Sequence, residues 1–372
     1  MFRPQIQKTR ILFILALTIM CMVYIAVNSY DRNPVFGFSL KIEALSKMKE
    51  SIELLREEFQ NRGINSSKDS LSYASFLLGP KESSIQTTSG SIISKQSVLN
   101  PEFAAIIVEM LIELDIDLKK KVAVSYTGSY PGANLAVLSA LEVMDIEAII
   151  TSSCGSSEYG ATYPEYNWID MENYLSRNDI FSNASSMASI GGGADIGIQM
   201  SSKGREFCTN SIYNNKDLIF LNDENALENI EKRIDHYLSD DNMISVFINV
   251  GGGIYTVGDT LLRDNTPSGI IYPDDYFSKK DGVVLEYFLN MDIPVININQ
   301  INILSELYDV PYPPTKKYKF GLGNLFYSKK QYNPIIILLT FFISSGVVLT
   351  IGIISHNEIK KRMNESEPES LL

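Results

Sequence analysis

The residues best suited to chemistry lie in four loops rich in glycine and small hydroxyl side chains. In TGSYPGAN, Thr127–Asn134, Gly128 and Gly132 free the backbone around Pro131, so that main-chain N–H groups and the start of a following helix can face an anion. Ser129 is the hydroxyl nearest such a ligand, and Asn134 is a further contact candidate. The loop matches neither GxGxxG nor a phosphate loop with its lysine, and a tight strand-to-helix turn with no ligand would use the same glycines. In TSSCGSSEYGATYPEYNWID, Thr151–Asp170, five small hydroxyl residues and Cys154 fall within seven positions, followed by Glu158 and an aromatic run ending at Trp168, the only tryptophan. A nucleophile on such a turn would sit beside backbone donors for an oxyanion. Ser129, Ser153 and Cys154 are therefore the nucleophile candidates, and Ser153, Ser156 and Glu158 candidates for holding a ligand. GxSxG is absent, and His236 lies in the charged helical run EKRIDHYLSDD, where a surface role is expected, so a Ser-His-Asp hydrolase has no evident base. Trp168 and Tyr166 are expected in the core.

Two glycine triplets each follow an apolar, strand-like run: Gly191, Gly192 and Gly193 in SIGGGADIG, and Gly251, Gly252 and Gly253 in FINVGGGIYTVGD. Triple glycine permits close backbone contact with a carboxylate or phosphate, and tight packing would use it equally. Asp195 and Asp259 stand downstream as possible acid/base or cation-binding carboxylates, whereas Asp274 and Asp275 read as solvated loop residues.

Composition narrows the chemistry. The 372 residues include 32 basic and 44 acidic side chains, a formal charge of −12, which repels nucleic acid at long range. With two histidines and three cysteines a His-rich metal centre is not to be assembled, and no metal or cofactor is expected. Cys154 and Cys208 could pair in an oxidising compartment or remain free thiols.

The elements that must position these loops alternate. Asn100 caps a helix beginning at Pro101, and KVAVSY, EAIIT, SMASI, LIFL, MISVFINV and IPVINI read as strands between helices such as ANLAVLSALEVM, ENALENIEKRIDHYLSD and DGVVLEYFLNM. Short, continuous apolar strands suit a sheet covered on both faces. The expected fold is α/β, a Rossmann-like domain with a mainly parallel sheet over residues 100–310.

Two uncharged stretches flank this domain. Ile11–Val27 and Pro334–Ile354 are each long enough to cross a bilayer, with a short basic tail, 1–10, before the first and a polar tail, 355–372, after the second. The first has the charged start of a signal peptide but a longer apolar core and no evident cleavage site, so it is read as a retained anchor. Residues 28–99 comprise a helix from Ser39 to Arg62, stopped at Gly63 and serving as stalk or packing helix, and a Ser/Thr-rich loop segment. Residues 311–333 form a Pro/Lys-rich connector. The expectation is a two-pass cell-membrane protein with both tails inside and the central domain extracytoplasmic, although basic residues near the spans are slightly commoner on the domain side. Lys316, Lys317, Lys319, Lys329 and Lys330 form a basic collar suited to lipid headgroups.

The motifs GSYPGANLAVLSAL (128–141), SSCGSSEYGATYPEYNWIDME (152–172), ASIGGGADIG (188–197), SKGRE (202–206) and INVGGGIYTVG (248–258), in this order and with two terminal spans, resemble the poly-gamma-glutamate system proteins, accessory membrane proteins of bacterial poly-gamma-glutamate synthesis. The resemblance implies a role in making or exporting an anionic, capsule-like polymer. Its partners would be the bilayer, other membrane components of the synthesis complex and the polymer itself, with no nucleic acid; it supplies no reaction. Two alternatives stand beside it: an amide hydrolase or transferase acting on glutamyl chains through a Ser or Cys nucleophile, and a cytoplasmic nucleotide-binding domain using the glycine-rich loops.

Overall fold

A computed structural model describes residues 9–64, 74–239, 243–276, 282–315, 318–329 and 331–365. Helix α1 (Thr9–Val27) and strand β1 (Tyr30–Asp31) precede α2 (Phe38–Asn61), α3 (Ile92–Ser97) and α4 (Glu102–Glu113). Strands and helices then alternate as β2 (Lys121–Ser125), α5 (Pro131–Val143), β3 (Ala148–Ser153), α6 (Trp168–Arg177), β4 (Ser185–Ser189), α7 (Ser202–Asn214), β5 (Ile219–Leu221), α8 (Ala226–Tyr237) and β6 (Ile244–Val250). After α9 (Ile254–Val257) and α10 (Thr260–Asn265) come β7 (Gly269–Ile271), α11 (Val284–Asn290), β8 (Val295–Ile298), α12 (Ile301–Leu307), β9 (Gln331–Tyr332) and α13 (Pro334–Glu365). The chain divides into two compact units, Val35–Phe326 and the residues outside that range.

In the smaller unit α1 packs against α13, and β1 pairs antiparallel with β9, Tyr30 opposite Tyr332. Both helices contain stretches long and apolar enough to cross a membrane, Arg10–Val27 and Pro334–Lys361, with mean hydropathies of 2.4 and 2.5. The 19 residues of α1 rise about 28 Å, close to the roughly 30 Å hydrocarbon core of a bilayer. The large side chains of Phe13, Tyr24, Phe341 and Phe342 are exposed, unlike those of a soluble core helix. Helix α13 runs on to Glu365, past the expected end at Ile354.

The larger unit is α/β, as expected: a mostly parallel seven-stranded sheet with flanking helices, in the order β5-β4-β3-β2-β6-β8-β7. Only β7 is antiparallel, pairing with β8; its three residues are too few for periodicity to mark. On the sheet, Phe247 of β6 stacks on Phe288 of α11 with ring centroids 4.7 Å apart, and Tyr237 of α8 meets both rings edge-on.

Several expectations change. Helix α2 begins at Phe38, one residue before the expected start at Ser39, with Gly37 at φ 73° at its N-cap and no side-chain cap. Of its two expected roles the helix takes that of a packing helix, because Leu45, Met48, Ile52, Leu55 and Phe59 are buried and it packs on α4 and α5. The buried Lys41 ammonium is paired with Glu109 and donates to the Leu325 carbonyl at 3.1 Å. Within the segment expected to be loop, α3 forms with Ser91 Oγ accepting the Ser94 N–H; part of that segment, 65–73, lies outside the described residues. Asn100 does act at the start of α4, its Oδ1 accepting the Glu102 N–H at 3.0 Å.

Helix ends follow a rule the residues themselves write. Asp145, Asp179, Asp292 and Asp309 adopt left-handed φ values of 53°, 55°, 63° and 57° just after α5, α6, α11 and α12. The following Ile146, Ile180, Ile293 and Val310 return their N–H groups to Leu141, Leu175, Phe288 and Ser305. This is a Schellman closure with aspartate where glycine is usual, tolerable because Asp visits the left-handed region more readily than most residues.

One buried carboxyl gives a pH test. Glu172 on α6 is 4% exposed, its Oε1 has no partner among the described residues, and burial pushes its carboxyl up from 4.5 to about 7 against hydrogen bonds from Ser185. The folded protein therefore holds this proton more tightly than the unfolded chain, so its contribution is most favourable below pH 4.5 and is lost as pH rises toward 7. Glu172→Gln is expected to raise unfolding stability at pH 8 by about 2–3 kcal/mol and to leave it nearly unchanged at pH 4.5. Urea denaturation of the detergent-solubilised protein at both pH values measures this, and an equal effect at both would refute it.

Candidate functional site

The strand order reverses between β2 and β6, which run parallel with Ser125 opposite Asn249. In open α/β sheets such a reversal leaves a crevice at the carboxyl ends of the strands, where ligands bind. The loops after β2, β3 and β6 meet there. Gly128 donates to Ser153 O at 3.0 Å and its carbonyl accepts from Ala161 N at 2.8 Å, so the first two loops are laced together. Gly251, at φ 90°, lies against the Thr127 side chain so closely that a Cβ would collide with it. Of the four sequence-marked loops, three thus share one rim. The Gly191 triplet adjoins it as well, since a Cβ on Gly191 would lie 3.0 Å from the Ser153 Cβ.

A fourth segment completes the rim. Thr87 N donates to Ser156 O at 2.8 Å and Glu158 N to Thr88 O at 2.9 Å, an extended pairing that lays residues 85–88 along the loop after β3. Gly90 then passes so near that a Cβ would lie 2.7 Å from Glu158 O and 3.2 Å from Ser157 Oγ. This carries α3 onto the rim and sets Lys95 over Ser157. Lys95 is fully buried, its Nζ 2.7 Å from Ser157 Oγ, hydrogen-bonded to Ser129 O, and 4.6 Å from the centre of the Tyr130 ring. Burial lowers its ammonium from 10.5 to about 7, with Glu158 acting in the opposite direction. Glu158 Oε2 accepts the Gly90 N–H at 3.3 Å. Tyr130 is pushed up to about 12, chiefly by burial, while the nearby Arg263 lowers it and Tyr312 raises it. Arg263 also lies beside Gly252, where a Cβ would sit 2.6 Å from its Cδ.

The candidate residues take distinct places. Ser129 Oγ accepts the Ser157 N–H at 3.0 Å, so it positions that residue. Asn134 is buried and holds Thr127 O at 3.0 Å. Ser156 is buried and donates to Ser157 O at 2.9 Å, a bracing role. Ser153 ends β3 at 8% exposure. Cys154 cannot be a thiolate nucleophile in this state, because it is fully buried and disulfide-bonded to Cys208. Gly252 and Gly253 are partly exposed on the rim.

Other expectations are corrected. Asp195 is no free acid or base: Arg233 Nη2 lies 2.6 Å from its Oδ2, with both side chains under 10% exposed. Asp259 caps α10 by accepting the Leu262 N–H at 3.0 Å. His236 is half-buried rather than on the surface, its Nε2 2.7 Å from Ser186 Oγ. Trp168 and Tyr166 are in the core, as expected. Of the collar lysines, Lys316, Lys317 and Lys330 lie outside the described residues; Lys319 lines a cleft of about 450 Å³ with Asp309, Pro311 and Tyr318, which shares no residue with the rim loops. Among the described residues no group of three or more His, Cys, Asp or Glu side chains is arranged to hold a metal.

Lys95, Ser157, Tyr130 and Arg263 are the candidate residues at the rim that sequence reading missed. The available signal was a lone charge in the otherwise uncharged run SGSIISKQSVL, a lysine that the structure brings to a serine 62 positions away. No family model matches the chain, nor does any curated protein or solved structure.

Proposed function

We propose that the protein is a two-pass, membrane-anchored component of poly-gamma-glutamate synthesis or export, whose α/β domain binds an anionic glutamyl segment at the rim where β2, β3 and β6 end. The observation that carries this reading is the convergence of the Gly128, Ser153–Glu158 and Gly251–Gly253 loops with the guanidinium of Arg263 beside Tyr130. In a chain of net charge −12 such a site favours local contact with a polyanion over wrapping of its whole length. We read the sheet as a Rossmann-like variant, on its reversal between β2 and β6. The domain faces the outside of the cell: the buried Cys154–Cys208 disulfide suits an oxidising compartment, and an external domain meets no nucleotide pool, which disfavours the nucleotide-binding alternative. The bilayer, other membrane components of the complex and the polymer are its partners.

Deleting the gene from a polymer-producing cell while the ligase is retained is expected to lower the amount of exported poly-gamma-glutamate at least several-fold, with restoration by the full-length gene. Unchanged yield and export in the deletion strain would refute the reading.

A further inference from the structure

We infer that Ser157 and Lys95 form a serine–lysine acyl-transfer centre, in which Ser157 Oγ is the nucleophile and Lys95 Nζ its general base toward an amide or ester carbonyl. The inference stands on these two side chains and does not require the polymer assignment. Their 2.7 Å separation is within proton-transfer reach. Lys95 accepts the hydroxyl proton only when neutral, and burial away from water favours that form near neutral pH. The groups facing its amine are Glu158, whose carboxylate is engaged by Gly90 N–H, the Tyr130 ring, the Ser129 carbonyl and the Ser157 hydroxyl. A lysine serving only as a brace would be better served by a direct carboxylate partner, as Lys41 is by Glu109.

The nucleophile is held as well as activated. Ser129 Oγ takes the Ser157 N–H, and Gly160 N returns to Ser157 O at 3.1 Å. Between them Tyr159 is at φ 61°, an uncommon left-handed setting for a bulky residue that turns the chain sharply after Ser157. Ser157 retains 9% of its surface and Ser129 is half-buried, so the pair lies just beneath the rim. Arg263, acting on Tyr130 from the same rim, suits an acyl substrate that also bears a carboxylate.

The step balances without a cofactor. The Ser157 hydroxyl proton passes to Lys95 Nζ as Oγ bonds to the carbonyl carbon and the carbonyl π pair moves onto oxygen. Collapse of this oxyanion breaks the bond to the leaving amine or alcohol, which takes the proton from Lys95. Water, or an acceptor amine, then attacks the acyl-serine ester with Lys95 again taking and returning the proton, and Ser157 is released.

A fluorophosphonate probe, which phosphonylates activated serines, tests this on the full-length protein in detergent, with the adduct located by peptide mass spectrometry. Labelling is expected on Ser157, to be abolished by Ser157→Ala, to fall at least 100-fold in Lys95→Met and Lys95→Arg, and to rise with pH through about 7 in the wild type as Lys95 loses its proton. Lys95→Arg keeps the cation and its donors but supplies no base, so a bracing role would spare its labelling; a cooperative urea-unfolding transition in each variant verifies folding. No adduct on the wild type at pH 8, an adduct that persists in Ser157→Ala, or wild-type labelling of Lys95→Arg would overturn the proposal. Polymer yield plays no part in this readout, so either proposal can fail alone.

Discussion

Asp195→Ala is expected to destabilise the α/β unit by about 3–5 kcal/mol, because it strands a buried guanidinium. Arg233 is 4% exposed and its fork is fully engaged: Nη2 reaches Asp195 at 2.6 Å and Ser189 Oγ at 3.1 Å, Nη1 reaches Thr151 Oγ1 at 3.1 Å, and Nε reaches Asn229 Oδ1 at 2.9 Å. Through Thr151 the network continues to the Tyr237 hydroxyl, which donates to Val124 O at 2.9 Å. It therefore ties α8 to β2, β3 and β4, of which β2 and β3 end at the rim and β4 beside it. Removing the carboxylate leaves the hydroxyls and one amide to solvate a full charge in a site water does not reach. Asp259→Ala is the contrast, since that exposed carboxylate only caps α10, and its loss should cost about 1 kcal/mol. Denaturant unfolding of the two variants separates them. A loss below about 1 kcal/mol for Asp195→Ala would show that the pair does not hold the strands together. Adding Arg233→Met to Asp195→Ala should recover part of the stability, because the unpaired charge is then gone as well.

Asp195 also illustrates why the site was less legible than the fold. The parallel strands could be read because each is a short apolar run, and the loops at their ends because glycine and serine cluster there. Which of several similar hydroxyls is activated is decided by tertiary contacts. Ser129, Ser153 and Ser157 look alike in sequence; of their hydroxyls the Ser157 one meets the buried Lys95 amine, delivered by a helix that lies before β2 and is too short, at six residues, to stand out by period. Cys154 drew attention as a nucleophile, and its partner Cys208 lies 54 positions away, a distance spacing alone does not interpret. Asp195 follows a glycine triplet, a placement that also suits a catalytic carboxylate, yet its role is set by Arg233 on α8. The Asp-Ile and Asp-Val pairs that close α5, α6, α11 and α12 were not read from the sequence, although each is a turn-permissive residue followed by an apolar one that reaches back across the last turn.

Gly128→Val is expected to slow serine labelling by about 100-fold while costing about 1–3 kcal/mol of stability. The two effects have one origin. A Cβ at position 128 would lie 2.6 Å from Cys154 O and 3.1 Å from Gly155 O, and these are main-chain atoms pinned on the other side: Cys154 N donates to Ser189 O and Gly155 N to Ile190 O. The loop after β3 is thus anchored to β4 and resists displacement, so the loop after β2 must move instead. Its next residue, Ser129, supplies both the carbonyl bonded to Lys95 and the oxygen that receives the Ser157 N–H. A shift of even a few tenths of an ångström therefore alters the base and the nucleophile together, whereas stability registers only local overpacking. Gly63→Ala distinguishes general strain from this specific one: its φ of 67° makes a side chain unfavourable, and among the described residues nothing lies within 4 Å of the new Cβ. That variant should lose about 1 kcal/mol and label at the wild-type rate. If Gly128→Val labels as fast as the wild type, the close register of the two loops is not what aligns Lys95 with Ser157.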